Sequence, residues 1–340
     1  MASNSFGQLL RITTFGESHG TALGVVIDGC PAGIALAEAD FLPELARRRP
    51  GQSAIVTARK EDDAPTILSG VFEGKTTGMP IAVIVLNQNQ RPEDYEKLRK
   101  AFRIGHADAA FAGKYGHRDH RGGGRQSGRE TVARVIAGVV ARKILPGNVK
   151  IIGSTVQIGP HLASAYKPAT IEKNPVRCAD PAMAKKMEAY ILDLKAKGDS
   201  TGGLICIRVE HPPKNLGDPV FLKLKSRLAE AILTIGAVTG FSYGAGFQTA
   251  AMRGSEYVSD PENFGGMLGG ISTGETLILC LSIKPASSIG QVAKEGRHDP
   301  CIVPRVIPVA EAMVALVLAD CYLSQKIYQS FSSLYSYVEE

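Results

Sequence analysis

Tryptophan is absent from the 340 residues, and aromatic side chains make up only 6% of them. Sequence-tolerant binding of single-stranded nucleic acid rests on aromatic stacking platforms, so that class begins with little support. Long apolar runs are missing too. The most hydrophobic stretch, P-V-A-E-A-M-V-A-L-V-L-A-D, is interrupted by Glu311 and ends on Asp320, whereas a membrane span needs about 20 apolar residues in succession. The first residues, M-A-S-N-S-F-G-Q-L-L, lack the basic flank and apolar centre of a signal peptide. No segment rich in proline, serine or charge divides the chain, so a single domain over residues 1–340 is expected, with roughly the last 10–15 residues a loose tail.

Cysteine is present without pattern. Cys30, Cys178, Cys206, Cys280, Cys301 and Cys321 form no C-x-x-C, and each lies at least 20 residues from the next. Zinc and iron–sulfur spacings are therefore lacking, and no metal is expected. Most of the six sit in apolar stretches such as V-I-D-G-C and L-I-L-C-L. They read as buried thiols in a reducing compartment, and a cytoplasmic protein is expected.

Glycine is in excess, with 37 residues, and no Gly-X-Y period accompanies it, so a collagen-like chain is excluded. Tight turns and close backbone approaches are the remaining use for it. With 44% hydrophobic and 21% charged residues the composition is that of a globular protein, not a disordered one.

Charge is unevenly placed. The whole chain carries +6, yet residues 91–150 alone hold fourteen Lys/Arg against six Asp/Glu. Arg103, Arg118, Arg121, Arg125, Arg129 and Arg134 fall within 32 residues there, threaded through R-G-G-G-R. A solvated basic face is the ordinary reading of a charge run. Interleaved glycines and a preference for arginine over lysine favour a site for a multiply anionic small molecule. R-G-G-G-R also resembles an RGG segment, but it occurs once and directly precedes an apolar helix, so no nucleic-acid partner is expected.

Periodicity predicts strands at 22–28, 81–86, 149–158, 204–210 and 276–283. Helices are predicted at 36–49, with Pro43 a weak point, at 130–145, at 181–197, from Asp218–Pro219 onward, and at 308–327. The mixture reads as an α+β domain. G-E-S-H-G at 16–20 and G-I-S-T-G at 270–274 are each followed by a strand and by a Pro-Ala pair, Pro31–Ala32 and Pro285–Ala286. Each half then has an arginine-rich loop before an apolar helix, with Glu130 or Glu311 in its first turn, so an internal pseudo-twofold repeat is expected.

Three segments carry candidate chemistry. G-E-S-H-G has the G-x-S-x-G form of a hydrolase nucleophile elbow. That motif needs a helix after the serine, and T-A-L-G-V-V-I-D is strand-like, so the hydrolase reading of Ser18 and His19 fails on context. R-I-G-H-A-D at 103–108 and the following K-Y-G-H-R-D-H-R-G-G-G-R offer His106, Asp108, His117 and Asp119. Surrounding cations repel a metal and favour an anion, beside which a histidine is available as acid or base. K-P-A-S-S-I at 284–289 and G-R-H-D-P-C at 296–301 supply a lysine, hydroxyls, Arg297 and Asp299, again the groups that contact phosphate.

Taken in order, F-G-E-S-H-G, R-R-R-P-G, G-H-A-D, K-Y-G-x-R-D-x-R-G-G-G-R, G-G-I-S-x-G, K-P-x-S-S-I and G-R-H-D-P-C resemble the signature set of the chorismate synthase family, from about Gly7 to Asp320. The resemblance implies a β-α-β sandwich, with helices between two sheets, assembled as a homotetramer. It implies the anti 1,4-elimination of phosphate from 5-enolpyruvylshikimate 3-phosphate (EPSP) to give chorismate, the last step of the shikimate pathway. Reduced FMN is required without net redox change, because no carbonyl acidifies the C–H bond to be broken.

By the same resemblance, His19 protonates the departing phosphate, His106 serves the reduced flavin, and Ser18 and Asp299 assist proton movement. Arg48, Arg103 and Arg129 hold the substrate's anionic groups. Arg125, Gln126, Ser127, Gly236, Ala237, Gly269, Lys284, Pro285, Ala286, Ser287, Ser288 and Arg297 contact FMN. An external flavin reductase or other source of reduced FMN is implied as partner, and neither membrane nor nucleic acid. The chain departs from the family pattern at Gln126, where the family often has serine, at Ala54, where it has arginine, and in the short segment between Ile289 and Gly296.

Overall fold

Leu23, Val25 and Ile27 alternate with smaller or more exposed residues and are 0% exposed. This period of two makes the segment β3 (Ala22–Asp28), the centre of a five-stranded antiparallel sheet. The computed structural model describes residues 3–56, 62–87, 102, 105–117, 119, 121, 123–287, 289–290 and 299–335. In the first sheet the order is β1 (Ser5–Phe6), β2 (Arg11–Gly16), β3, β7 (Ile81–Leu86) and β4 (Pro65–Ile67), with Val25 opposite both Thr14 and Val83. A small ribbon, β5 (Val71–Phe72) and β6 (Lys75–Thr76), lies between β4 and β7 in the chain. The second sheet runs β11 (Val238–Tyr243), β14 (Leu277–Ile283), β10 (Gly203–Glu210), β8 (Lys150–Ile158) and β9 (His161–Leu162), also antiparallel. Cys206 and Cys280 face each other across β10 and β14. A second ribbon joins β12 (Met267–Leu268) to β13 (Ile271–Ser272).

Helices fill the space between the sheets. Helix α3 (Thr131–Ile144) packs on β2 and β3, and α7 (Val303–Tyr335) packs on β8 and β10. The two helices pack on each other, with Gly138 against Ala312; a Cβ at Gly138 would lie 2.4 Å from the Ala312 Cβ. Short α1 (Leu42–Arg48) wedges against both, and α5 (Leu224–Leu233) packs on α7 and β11. The others, α2 (Asp108–Tyr115), α4 (Pro181–Lys197) and α6 (Gly254–Ser259), lie outside this layer's main contacts. By length and composition α7 is apolar enough to cross a membrane, but 89% of its most apolar window is buried in the fold.

Most predicted strands and helices form where the periodicity put them, and three differ. The segment 36–49 is a 3₁₀ turn (Glu38–Phe41) followed by α1, so Pro43 starts a helix instead of weakening one. Asp218–Pro219 starts no helix: the Asp218 N–H closes a turn on the Leu222 carbonyl, and α5 begins at Leu224, whose N–H bonds the Gly270 carbonyl. Helix α7 begins five residues before the expected Pro308. Pro308 has no N–H for the Pro304 carbonyl one turn back, and that carbonyl instead accepts from Arg177 Nη1 at 2.6 Å. The two G-x-S-x-G segments also have different settings. Ser18 lies in the turn from β2 to β3, whereas Ser272 lies on β13, donating to the Pro213 carbonyl at 2.7 Å and accepting from the Leu216 N–H at 2.9 Å.

Candidate active site

The sequence G-E-S-H-G turns the chain from β2 into β3. Gly16 sits at φ +86, where a Cβ would strike the Ala22 carbonyl oxygen at 2.2 Å, so glycine is needed there. The turn closes through Gly20 N–H to Glu17 O at 3.0 Å. Ser18 and His19 are both buried, with Ser18 Oγ 3.0 Å from His19 Nδ1. This is strand–turn–strand, not the strand–turn–helix of a nucleophile elbow.

Asn87, just past β7, fastens this turn from the side. Its Nδ2 donates to Glu17 O at 3.0 Å and to Gly20 O at 2.8 Å, while its Oδ1 accepts from Arg129 Nε at 3.0 Å. Arg129 lies in the 3₁₀ turn Gly128–Glu130 leading into α3, and its own N–H donates to Ser127 Oγ, the N-cap of that turn, at 3.3 Å.

Arg129 and Arg48 then converge on one carboxylate. Arg48, the last residue of α1, donates from Nη2 to Asp63 Oδ2 at 2.9 Å, and Arg129 Nη1 pairs with Asp63 Oδ1. All three side chains are buried. Burial, the Arg129 and Arg305 charges and the offsetting pull of Asp63 leave the Arg48 guanidinium pushed down to about 10. Burial pushes the Asp63 carboxyl up, but the two guanidiniums outweigh it and hold the group below the usual carboxylate range. Arg305, in the first turn of α7, donates from Nε to the Arg48 carbonyl at 3.2 Å and pairs through Nη1 with Asp299. Asp299 is thereby brought to the arginine cluster.

His106 stands at the start of α2, its Nδ1 2.9 Å from Oδ1 of the buried Asp108. A carboxylate on Nδ1 leaves Nε2 as the nitrogen that exchanges protons. The end of β14 reaches the same place: Ser287 Oγ and Lys284 Nζ donate to the Gly105 carbonyl at 3.0 and 3.5 Å. Lys284 N–H also bonds the Ala237 carbonyl at 3.0 Å, which brings Gly236 and Ala237 to β14. The Ala286 carbonyl accepts from Ser200 Oγ at 2.7 Å, holding the Lys284–Pro285–Ala286 strand end in place. Among the described residues, nothing lies within 4 Å of where a Cβ would stand at Gly236 or Gly269. Arg125 is turned toward β2, donating to Thr14 O, Thr14 Oγ1 and Gly16 O at 2.6–3.1 Å. Gln126 Oε1 is buried with no hydrogen-bond partner among the described residues. Lysine and serine donors, open glycines and an unengaged amide oxygen are a donor set that suits a flavin phosphate and its N–H-bearing ring. Arg103, Ser288 and Arg297 lie outside the described residues.

Asp63, Asn87 and Arg305 went unnoticed in the sequence. Each acts on partners far along the chain, and only the arginine-rich surroundings hinted that a counter-ion was required.

The fold and this site define an enzyme for a small polyanion: buried arginines to bind it and carboxylate- or hydroxyl-paired histidines to manage protons. Comparison with known proteins places it further. A chorismate synthase family model matches residues 10–323. Chorismate synthase of Bdellovibrio bacteriovorus is 50% identical over 337 residues, covering 96% of this chain and 99% of that one. The enzyme of Methanosarcina mazei is 46% identical, covering 94% and 96%. A crystal structure of chorismate synthase superposes with a TM-score of 0.76 at 30% identity, covering 94% of this chain and 93% of the other. The chain belongs to the chorismate synthase family. It is a carbon–oxygen lyase that eliminates phosphate from EPSP to give chorismate, the last step of the shikimate pathway.

Proposed function

We propose that the elimination takes place where the Ser18–His19 turn, Arg129 and Arg48 meet, with reduced FMN as a cofactor that is not consumed. The observation that carries this reading is the Asn87 carboxamide, which bonds both the histidine turn and Arg129. Proton donor and anion receptor are thus held by one side chain at a fixed spacing.

Arg48 and Arg129, with Arg103, bind the phosphate and carboxylates of EPSP. His19, its Nδ1 against Ser18 Oγ, delivers a proton from Nε2 to the departing phosphate oxygen. His106, oriented by Asp108, holds a proton at Nε2 on the cofactor side. Asp299, steadied by Arg305, accepts or returns a proton. Lys284, Ser287, Ser288, Arg297, Ser127 and Gln126 are the side chains that would hold FMN, with Gly236, Ala237, Gly269, Pro285 and Ala286 admitting it closely. Arg125 supports that face through β2. When bound, reduced FMN supplies the transient electron density that lets an unactivated C–H bond break without net redox change. Family likeness further supports a homotetramer, a cytoplasmic location and a separate source of reduced FMN. The repeated plan of one sheet backed by one long apolar helix supports an internal pseudo-twofold duplication.

The test is anaerobic mixing of the protein with dithionite-reduced FMN and EPSP. Chorismate absorbance and released phosphate are followed together. Equal amounts of both, with reduced but not oxidised FMN, are expected; product formed equally well without reduced flavin would overturn the cofactor assignment.

A further inference from the structure

We infer that Asp63 is a positioning residue for the elimination, its single carboxylate clamping Arg48 and Arg129 side by side as a receptor for an anionic group of the substrate. The inference rests on reading those two arginines as substrate contacts.

A purely structural ion pair is the simpler alternative, and three observations weigh against it. First, one carboxylate joins arginines from two different elements. Asp63 serves two guanidiniums, one on each carboxylate oxygen. Another cation near Arg48 is Arg305 of α7, which pairs with Asp299. Secondly, Arg48 Nε is buried and has no hydrogen-bond partner among the described residues. Its Nη1 makes only 3.4 Å contacts to Gly128 O and Thr131 Oγ1. Thirdly, Asp63 holds φ +49, in the left-handed region that most side chains avoid and aspartate or asparagine tolerates. The backbone adopts an uncommon conformation at the one residue whose side chain joins the two arginines.

This arrangement does two things before substrate arrives. One oxygen per guanidinium fixes the spacing of the two forks, so they need not reorganise as far around the incoming anion. The carboxylate also favours the charged form of Arg48, against burial and against the charges of Arg129 and Arg305. The groups facing Arg48 from the packed elements are thus Asp63 from the segment before β4, Arg129 and Thr131 from the start of α3, and Arg305 from α7.

The experiment compares wild type, Asp63→Asn and Asp63→Glu as full chains. It measures kcat and KM for EPSP with reduced FMN at neutral pH, and the thermal shift given by EPSP. Asparagine keeps the backbone preference and the shape but loses the charge. Asp63→Asn is expected to lower kcat by about tenfold to a hundredfold, the scale of a small misplacement. Its KM is expected to rise as well, because the two guanidiniums are no longer held on one carboxylate. Asp63→Glu restores the charge and should return KM toward its wild-type value while kcat stays low. Wild-type kcat and KM in Asp63→Asn would overturn the inference. If Asp63→Asn does not fold, Asp63→Glu decides: lowered kcat with KM near the wild-type value supports the clamp, and wild-type kcat overturns it. A wild-type protein that turns over EPSP while Arg48→Ala and Arg129→Ala leave KM unchanged would instead sink the substrate reading of the arginines, a failure distinct from that of the clamp.

Discussion

Arg177 donates from Nη1 to the carbonyl of Pro304 at 2.6 Å, in the place that the missing N–H of Pro308 leaves vacant. The same guanidinium bonds the Arg47 carbonyl, Gln52 Oε1 and Glu172 Oε2 at 3.0–3.2 Å. One side chain therefore lets α7 start with two prolines in its first turns and ties that start to α1, which carries Arg48.

Arg177→Met is expected to destabilise the protein by about 1–3 kcal/mol, since it strands a buried carbonyl. Denaturant unfolding measures this. Adding Pro308→Ala to that variant restores an N–H one turn from Pro304 and should recover part of the loss. No recovery in the double variant would mean that the carbonyl is not the group at stake.

Asn87→Ala removes two bonds to the histidine turn and one to Arg129. A stability loss of about 1–2 kcal/mol is expected, with kcat down by about tenfold or more because His19 and Arg129 lose their common support. Asn87→Asp keeps the acceptor for Arg129 but not the donors to the turn. If Asn87→Asp matches wild type in kcat, the turn contacts are dispensable.

His106→Ala should keep the EPSP-dependent thermal shift while turnover falls by at least tenfold, within the roughly 10²–10⁴ range of acid–base effects. Asp108→Asn should lower turnover in the same direction and by less, because the imidazole remains but loses its fixed orientation. Unchanged turnover in His106→Ala would remove it from the mechanism.

Acid should weaken the fold through Asp63 and Asp180. Asp63 is held below the usual carboxylate range by two guanidiniums, and Asp180, N-cap of α4, is held down to about 2 by the N–H groups of Met183, Ser164 and Ala182 and the Ser164 hydroxyl. A depressed carboxylate stabilises the folded state fully above its unfolded value of about 3.9 and loses that contribution as pH falls through the folded value. The stability gap between wild type and Asp63→Asn should therefore narrow as pH is lowered below about 4. A gap that stays constant to the lowest pH would contradict this.

The thiols give a further measurement. Burial pushes Cys301 up to about 12 and Cys321 up to about 11, whereas the hydrogen bond from Cys206 favours the thiolate of half-buried Cys280. Iodoacetamide followed by peptide mass mapping should label Cys280 first. Faster labelling of Cys301 would mean that the start of α7 opens.

Much of this molecule is legible in its sequence, and the illegible part has a common cause. The strands at 22–28 and 81–86 and the helix at 181–197 form as expected because periodicity is local information. The start of α7 was not, because the residue that excuses Pro308 lies 127 positions from the carbonyl it satisfies. Asp218–Pro219 carried a good helix-start signal, yet the N–H of Leu224 bonds the Gly270 carbonyl and the helix waits until there. At the site, the glycines, histidines and arginines stand in compact motifs and were found. Asp63 and Asn87 stand in no motif, and their significance comes from guanidiniums 15 to 66 residues away.

The contact between Gly138 and Ala312 sets more than a helix spacing. It pairs α3 and α7, the two longest buried rods of the layer, and the start of each is found at Arg48: Thr131 of α3 touches its guanidinium, and Arg305 of α7 bonds its carbonyl. Aligned peptide dipoles give each helix roughly half a positive charge at that end. The anion receptor thus draws on main-chain electrostatics at the start of α3 as well as on its arginines. That field is carried by the backbone, so no inventory of charged side chains records it and no single substitution removes it.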